Sequence, residues 1–374
     1  MSLIQASAAN IPLAAKSVHM VATSPPYWGL RKYEGRQGVD WEAVEYVPMA
    51  GLPPITIPAM HCELGLESAP EAYIGHLVAA FREVRRVLRD DGTVWLNLGD
   101  SFWGGKGQSG HADPERQAER VKRGESFNTV AAHVGGYGAM RPQDGKHPGL
   151  KPKDLIGIPW RAAFALQADG WWLRSDIIWG KPACMPESVT DRPTKAHEYI
   201  FLLAKSRRYY YDAAAVVEES ASNGKRVARP EKMLSKGQAT ERGTQPTRNL
   251  RSVWHIATQP FSGSHFAVWP PALVEPMIKA GTSECGCCPQ CGASWKRIVE
   301  RTPMVIARSG RAEAMGEYGR TQSSGTMLRP AESVTIGWQP TCACGNPDTV
   351  PCIVLDPFAG SGTTGVVARN LGRR

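Results

Sequence analysis

The amino-acid sequence predicts an α/β fold with a doubly wound, mostly parallel sheet. Short apolar stretches alternate along the chain with segments whose apolar residues recur at helical spacing, and this alternation is typical of a parallel sheet covered by helices on both faces. Two prolines end the first apolar stretch, and a glycine-rich turn lies between the last predicted strand and the last predicted helix. Turns of this kind place functional groups at the carboxyl ends of parallel strands.

The first elements are a strand, a helix and a second strand. Residues 18–22 are apolar and predict a buried strand. Residues 70–89 carry an apolar helical stripe, and the sequence predicts that this helix closes at Asp91 and Gly92. The second strand is predicted at 93–98. The alternation then continues with a helix near 154–168, strands at 175–179 and 198–203, a helix through 272–280, and a last strand that enters the glycine turn.

Composition narrows the class of protein. The chain has 374 residues, of which 42% are hydrophobic and 21% charged, and a formal net charge of +9. This length allows one large α/β domain with insertions or two modest domains, and the positive charge favours a polyanionic partner. No stretch reaches the roughly 18 apolar residues of a membrane span, and the first residues lack the pattern of a secretory signal. We therefore expect a cytoplasmic protein with no membrane partner.

Two long segments interrupt the predicted elements. Residues 101–149 contain ten glycines and little apolar periodicity, which predicts a mobile functional loop over 101–150. Residues 205–251 carry eleven Lys or Arg against five Asp or Glu. The segment 205–260 is therefore the predicted DNA-reading region, with an ordinary solvated charged surface as the alternative.

The glycine-rich turn spans Asp356 to Gly365, with the sequence DPFAGSGTTG. An apolar strand precedes it and a helical segment follows, which is the arrangement of a nucleotide-type cofactor site. A GxG pattern alone is a weak signal. A phosphate-binding loop is excluded because no GK[ST] follows the glycines.

The sequence Ser24-Pro25-Pro26-Tyr27 directly follows the first predicted strand. The prolines make the turn rigid, the Ser24 hydroxyl and the Pro25 carbonyl are hydrogen-bond acceptors, and Tyr27 offers an aromatic ring. A proline-rich turn of this length is more often structural than catalytic. Its position at the end of a strand favours the functional interpretation.

Six of the nine cysteines lie between 285 and 344. Cys288 and Cys291 form a CPxCG knuckle, and Cys342 and Cys344 can supply a second pair of thiolates to a structural zinc ion. Cys285 and Cys287 are close enough in sequence to replace one of these ligands. Free reduced cysteines are the alternative, and the absence of histidine between 285 and 300 argues against a catalytic zinc.

Both turns resemble motifs of one family, the amino-methylating DNA methyltransferases of the N-4/N-6 DNA methylase group. TSPPYWGLRKY resembles the catalytic motif of the SPPY type, and DPFAGSGTT resembles the cofactor motif. Because the catalytic block precedes the cofactor block, the order is that of the permuted beta class. Blocks at 93–102, 174–182, 197–206 and 265–283 are also similar to the family.

The resemblance implies S-adenosylmethionine as cofactor and a methyl transfer to an exocyclic amino group of a base flipped out of double-stranded DNA. The implied catalytic residues are Ser24, Pro25, Pro26 and Tyr27. The implied cofactor contacts come from Asp356, Phe358, Ala359, Gly360, Ser361, Gly362, Thr363, His265 and Phe266. The expected fold is the circularly permuted methyltransferase fold.

Four regions are expected within this fold. They are a catalytic part at 1–204, the target-recognition segment at 205–260, a cofactor-binding part at 261–284 and 350–374, and a zinc-ribbon-like insertion at 285–349.

Ser24 before the two prolines favours cytosine N4 over adenine N6 as the methylated position, because the family's adenine enzymes more often have Asp or Asn there. Adenine N6 stays open, as does an amino methyltransferase acting on RNA or on protein glutamine. A catalytically silent zinc-containing DNA-binding protein is the alternative of another class. A cognate restriction nuclease is a possible partner.

Overall fold

The computed structural model describes residues 3–29, 38–104, 147–184, 186–220, 227–228, 241–242, 247–259, 269–302, 305–308, 325–329 and 333–374. These residues form two compact units. The first comprises 1–210, 252–281 and 352–374, and the second comprises 211–251 and 282–351. Most of the predicted loop at 101–150 lies outside the described residues.

The first unit contains ten strands and four helices within its described residues. The strands are β1 (Val18–Thr23), β2 (Val39–Trp41), β3 (Val44–Tyr46), β4 (Ile55–Ile57), β5 (Met60–Cys62), β6 (Leu88–Leu98), β7 (Trp172–Gly180), β8 (His197–Ala204), β13 (Val253–His255) and β18 (Val354–Leu355). The helices are α1 (Pro70–Val87), α2 (Ile158–Ala168), α3 (Pro271–Gly281) and α4 (Thr363–Asn370). No described helix has the length and apolar character needed to cross a membrane.

Six of these strands form one sheet in the order β13-β7-β8-β6-β1-β18. The pairs β13 with β7, β6 with β1, and β1 with β18 are parallel, whereas β8 is antiparallel to both of its neighbours. Five strands therefore run in one direction, and the prediction of a mostly parallel sheet is confirmed. The short strands β2 to β5 form two separate antiparallel pairs.

The central strands are buried on both faces. Val21 of β1 and Leu96 of β6 belong to the core cluster that includes α1 and α2. Met20 of β1 points to the other face, where it lies close to Gly281 at the end of α3; a Cβ on this glycine would lie 3.1 Å from Met20 Sδ. This double burial explains why the central strands are continuous apolar runs rather than alternating ones.

The predicted end of the first helix is wrong. Helix α1 ends at Val87, and Leu88 already begins β6, which runs straight through Asp91 and Gly92. Leu88 has extended dihedral angles and pairs with Val18 across the sheet. An apolar residue fits both the helical and the strand pattern, and here the long-range pairing decides. Gly92 does not stop a helix. Its missing side chain lets the Leu88 side chain pack against the backbone, since a Cβ at position 92 would lie 2.6 Å from Leu88 Cγ.

The second unit is built from short antiparallel pairs. Its strands are β9 (Glu218–Glu219), β10 (Val227–Ala228), β11 (Glu241–Arg242), β12 (Thr247–Arg248), β14 (Lys296–Arg301), β15 (Val305–Arg308), β16 (Gly325–Arg329) and β17 (Ser333–Gln339), and a 3-10 helix spans Ala213–Val216. The Arg297 guanidinium on β14 donates to the Asp212 carboxylate at 3.0 Å. This ion pair joins the segment after residue 210 to the cysteine-rich segment.

Candidate active site

The Ser-Pro-Pro-Tyr turn begins where β1 ends at Thr23. The strands β6 and β18, which are the parallel neighbours of β1, end at the same edge of the sheet. The carboxyl ends of three adjacent strands therefore meet there. Pro25 is buried, whereas Ser24, Pro26 and Tyr27 are partly exposed. The turn therefore lies at the edge where open α/β sheets bind ligands.

Residues just before and within α1 hold this turn in place. The Tyr73 hydroxyl donates to the Pro26 carbonyl at 2.8 Å, and the Trp28 indole N–H donates to the Glu67 carbonyl at 2.8 Å. Gly65 has a φ of +93°, and a Cβ on it would lie 3.1 Å from the Tyr27 carbonyl oxygen. Only glycine combines this conformation with so close an approach. The backbone of the turn is thus fixed by direct hydrogen bonds and tight packing.

The hydroxyls of Ser24 and Tyr27 share a small polar network. The Tyr27 hydroxyl lies 2.7 Å from Glu198 Oε2 and 2.8 Å from Asn97 Oδ1. Ser24 Oγ lies 3.2 Å from Asn97 Oδ1 and 3.4 Å from the Tyr27 hydroxyl. Burial, and then the nearby negative charge of Glu198, hold the pKa of Tyr27 well above its usual value. Tyr27 is therefore a neutral phenol that donates its proton.

The orientation of the Asn97 amide follows from its partners. Its NH₂ group donates to Glu198 Oε2 at 3.1 Å and to the Tyr199 carbonyl at 3.2 Å. The amide oxygen therefore faces the two hydroxyls. Glu198 Oε1 accepts from the Lys181 ammonium, which also lies 4.3 Å from the centre of the Trp179 ring. Asn97 lies on β6, Glu198 lies on β8, and Lys181 directly follows β7.

The Tyr27 ring also packs closely against the end of β6. A Cβ on Gly99 would lie 2.5 Å from Tyr27 Cε2 and 2.8 Å from Cδ2. Real Cβ atoms do not approach this closely, so the ring occupies the space that a side chain at 99 would fill. The ring is therefore positioned by its hydroxyl at one end and by packing at its edge.

The predicted cofactor turn follows β18. Gly362 has a φ of +76° and is the N-cap of α4. Ser361 Oγ and Thr363 Oγ1 lie 3.0 Å apart, and the backbone at Ala359 and Gly360 is exposed. Exposed glycine backbone that leads into a helix N-terminus suits a ligand that approaches the main chain closely. These residues therefore fit a nucleoside cofactor such as S-adenosylmethionine.

Asp356 connects this turn to the catalytic turn. Its Oδ1 accepts from the Thr23 hydroxyl at 2.6 Å and from the Phe358 N–H at 3.1 Å, and its Oδ2 accepts from the Thr364 hydroxyl at 2.8 Å. Burial raises the pKa of Asp356, against the effect of these three donors. Three of about four acceptor sites of the carboxylate are occupied within the protein. The structure thus gives Asp356 a positioning contact between the two turns. His265 and Phe266 lie outside the described residues.

The second unit brings four cysteines together. The Sγ atoms of Cys288, Cys291, Cys342 and Cys344 all lie within 4.8 Å of one another. Zinc binds thiolates at about 2.3 Å, which places tetrahedral sulfurs roughly 3.8 Å apart, so the cluster fits one such ion.

The turns of the two cysteine pairs share one geometry, but their thiols differ, because hydrogen bonds with the Cys291 and Cys342 thiols raise the pKa of Cys344 to about 12. The glycine after each pair has a left-handed φ, +71° at Gly292 and +69° at Gly345. Backbone N–H groups of Cys291 and Gln290 lower the pKa of Cys288 to about 7. The two turns therefore have matching geometry, and each presents two thiols to the same point.

Sequence reasoning placed Ser24, Pro25 and Tyr27 at a strand end but did not single out Asn97, Glu198 or Lys181. Asn97 is a buried polar residue within the apolar run 94–98 that ends β6, and this is the signal that could have identified it. Glu198 is the second residue of β8, ahead of its apolar run. A carboxylate at the end of a buried strand requires a partner, but the sequence does not say which one.

Comparisons with known proteins match most of the chain. The family model N6_N4_Mtase, described as DNA methylase, matches residues 18–288 and 352–374. Type II methyltransferase M.Cfr9I of Citrobacter freundii is 42% identical over 270 residues, which cover 72% of this chain and 68% of that protein. Type II methyltransferase M.SmaI of Serratia marcescens is 42% identical over 262 residues, which cover 70% of this chain and 68% of that protein.

Among solved structures, the cytosine-N4-specific PvuII DNA methyltransferase aligns with 97% of this chain and 75% of its own, with a TM-score of 0.45 and 14% identity. The sequence comparisons identify the family. The family match includes both turns and omits 289–351, where three of the four clustered cysteines lie. The chain belongs to the N6/N4 DNA methylase family and is a DNA methyltransferase.

Proposed function

We propose that the chain transfers the methyl group of S-adenosylmethionine to the N4 amino group of cytosine at specific sites in double-stranded DNA. The observation that carries this proposal is the contact between the two turns. The hydroxyl of Thr23, next to Ser24, donates to Asp356 of the cofactor turn at 2.6 Å. A base held by Ser24 therefore lies beside the turn that would bind the cofactor.

Ser24 and Tyr27 would handle the target base. When bound, S-adenosylmethionine supplies an electrophilic methyl group. An exocyclic amine is a weak nucleophile because its lone pair is delocalised into the ring. Hydrogen-bond acceptors must therefore hold the amino hydrogens so that the nitrogen becomes tetrahedral and its lone pair leaves conjugation. The Ser24 hydroxyl can donate to Asn97 Oδ1 at 3.2 Å or to the Tyr27 oxygen at 3.4 Å. Either arrangement leaves the lone pairs of Ser24 Oγ free to accept from the amine together with the Pro25 carbonyl. The Tyr27 ring would stack on the flipped base. No covalent enzyme intermediate is required.

The cofactor would be held by Phe358, Ala359, Gly360 and Ser361, with Gly362 and Thr363 at the start of α4. Asp356 would mainly fix the turn, because three of its acceptor sites already accept hydrogen bonds from groups of the protein. His265 and Phe266 complete the proposed cofactor site by resemblance alone. The cluster of Cys288, Cys291, Cys342 and Cys344 would bind a structural zinc ion.

The preference for cytosine rests on Ser24, and adenine N6 is the second candidate because the same acceptors can hold its amine. The similarity to type II methyltransferases supports a role in a restriction-modification pair with a cognate nuclease. The net charge of +9 supports DNA as the partner.

The test is to incubate the protein with labelled S-adenosylmethionine and unmethylated DNA, and to identify the methylated nucleoside by mass spectrometry. We expect N4-methylcytosine, and a loss of about 100-fold or more in Ser24→Ala. Ser188→Ala, at an exposed serine, is the matched control and should methylate normally. Formation of N6-methyladenine would change the assigned base from cytosine to adenine. Label found in RNA or protein alone would overturn the assignment of DNA as the substrate. Binding of DNA without retention of labelled cofactor and without any transfer would indicate a catalytically silent DNA-binding protein.

A further inference from the structure

Methyl transfer to an amine releases a proton, and the network around Tyr27 shows where it can go. When the nitrogen–methyl bond forms and the sulfur–methyl bond breaks, the amino nitrogen becomes cationic and must lose one hydrogen. Ser24 Oγ, the proposed acceptor, cannot keep this proton because an alcohol is a very weak base. The proton therefore needs a stronger base within hydrogen-bonding reach of Ser24.

Among the described partners of the Ser24 and Tyr27 hydroxyls, Glu198 is the single group that can serve as this base. Asn97 is an amide whose NH₂ group is committed to Glu198 Oε2 and to the Tyr199 carbonyl. The raised pKa of Tyr27 means that its phenol stays protonated, so Tyr27 can pass a proton on but not store it. The Glu198 carboxylate lies one hydrogen bond further, at 2.7 Å.

We propose that Glu198 is the final proton acceptor of the reaction and that Tyr27 relays the proton to it. The amino proton moves to Ser24 Oγ, the Ser24 hydroxyl proton moves to the Tyr27 oxygen, and the Tyr27 proton moves to Glu198 Oε2. The carboxylate becomes a carboxylic acid, the sulfonium becomes a neutral thioether, and both hydroxyls end as they began. This inference rests on the proposed methyl transfer and adds a second role to Tyr27 besides stacking.

The distances are compatible with such a relay. The step from Tyr27 to Glu198 spans 2.7 Å, the length of a strong O–H···O⁻ bond. The step from Ser24 to Tyr27 spans 3.4 Å, and catalytic hydrogen bonds of this length often tighten in the complex with substrate. The Glu198 side chain is 16% exposed, so the proton can leave to water after each turnover.

Cationic side chains lie around Glu198. The Lys181 ammonium contacts Oε1 directly, and the charges of Lys195 and of His197, when protonated, also act on Glu198. Tyr27 of the catalytic turn and Asn97 of β6 face the same carboxylate, whereas Lys181 follows β7 and Lys195 precedes β8.

The decisive variant is Glu198→Gln, which keeps the size of the side chain and an acceptor for Tyr27 but cannot accept a proton. We expect the single-turnover rate of methyl transfer to fall by about 100-fold or more, with unchanged affinities for S-adenosylmethionine and DNA. Glu42→Gln, at an exposed carboxylate, is the matched control. Tyr27→Phe keeps the ring and breaks the relay, and the double variant should be no slower than the slower single one because the residues act as one unit.

Chemical rescue separates proton transfer from simple positioning. In Glu198→Ala, added formate should restore transfer by supplying a carboxylate, whereas formamide, which has a similar size and no basic oxygen, should not. Full transfer by Glu198→Gln in single turnover would overturn the proposal. Equal rescue by formate and formamide would also overturn it, since Glu198 would then only hold Tyr27. A wild-type protein that methylates no nucleoside would instead refute the proposed function itself.

Discussion

Gly99 gives a sharp test of how precisely the Tyr27 ring must be positioned. In Gly99→Ala, the new Cβ would lie 2.5 Å from Tyr27 Cε2. An ordinary carbon–carbon contact is about 3.5 Å or more, so the ring must move by roughly 1 Å. The backbone at Gly99 does not have a positive φ, so alanine introduces a steric effect without conformational strain.

The movement would break the contacts of the Tyr27 hydroxyl. Displacement by about 1 Å would lengthen its bonds to Glu198 and Asn97, now 2.7 and 2.8 Å, beyond the hydrogen-bonding range. Overpacking of this kind costs about 1–3 kcal/mol of stability, which leaves a protein of this size folded. A 1 Å misplacement near reacting groups can lower the rate about 100-fold. We therefore expect a folded protein with severely reduced methyl transfer.

The assay combines urea unfolding with the single-turnover rate of methyl transfer. Gly149→Ala is the matched control, because a Cβ there would have its nearest neighbour 3.8 Å away, on His147. This control should match the wild type in both measurements. A Gly99→Ala protein that transfers methyl groups at nearly the wild-type rate would refute the argument that the ring position is fixed.

Four further outcomes follow from the described contacts. Thr23→Val removes the 2.6 Å bond to Asp356 and should lower the free energy of unfolding by about 1–3 kcal/mol in urea titrations; an unchanged midpoint would contradict this. Burial raises the pKa of Asp356 above its unfolded value of about 3.9, so the native state keeps the Asp356 carboxyl protonated to a higher pH than the unfolded state does. The stability that this difference contributes is lost as the pH rises from the unfolded pKa through the folded pKa. Asp356→Asn should remove this part of the pH dependence, which urea unfolding at a series of pH values above about pH 4 would detect. Cys291→Ser should reduce bound zinc from about one ion per chain to a small fraction, as measured by atomic absorption; an equal zinc content would exclude Cys291 as a ligand. Tyr73→Phe removes the 2.8 Å bond to Pro26 and should cost about 1 kcal/mol, with a lower methyl-transfer rate but normal cofactor binding by equilibrium dialysis.

Local sequence patterns were sufficient to predict most of the central sheet. The apolar runs of β1, β6 and β8 are buried strands because parallel and central strands leave no polar face. The boundary between α1 and β6 was missed because Leu88 suits both periodicities, and its pairing with Val18 is a long-range interaction that no local pattern contains.

The polar network was beyond sequence reasoning for a similar physical reason. Tyr27 and Glu198 are 171 residues apart, and they meet because β8 runs antiparallel to β6 in the sheet. The motif at 24–27 could be predicted because its chemistry is contained in consecutive residues. The partners that orient it come from other strands, and only the strand order and register bring them together.

The hydrogen bond between Thr23 and Asp356 joins residues that are 333 positions apart, and this separation affects how the protein is made. Nascent chains fold from the N-terminus as they leave the ribosome, so β1 and β6 are synthesised long before β18. Because β18 occupies an end of the six-stranded order, it can add to a preformed sheet without displacing another strand. Cofactor affinity would then arise late in biosynthesis, and a ribosome-bound chain that lacks β18 would carry the catalytic turn without the ability to modify DNA.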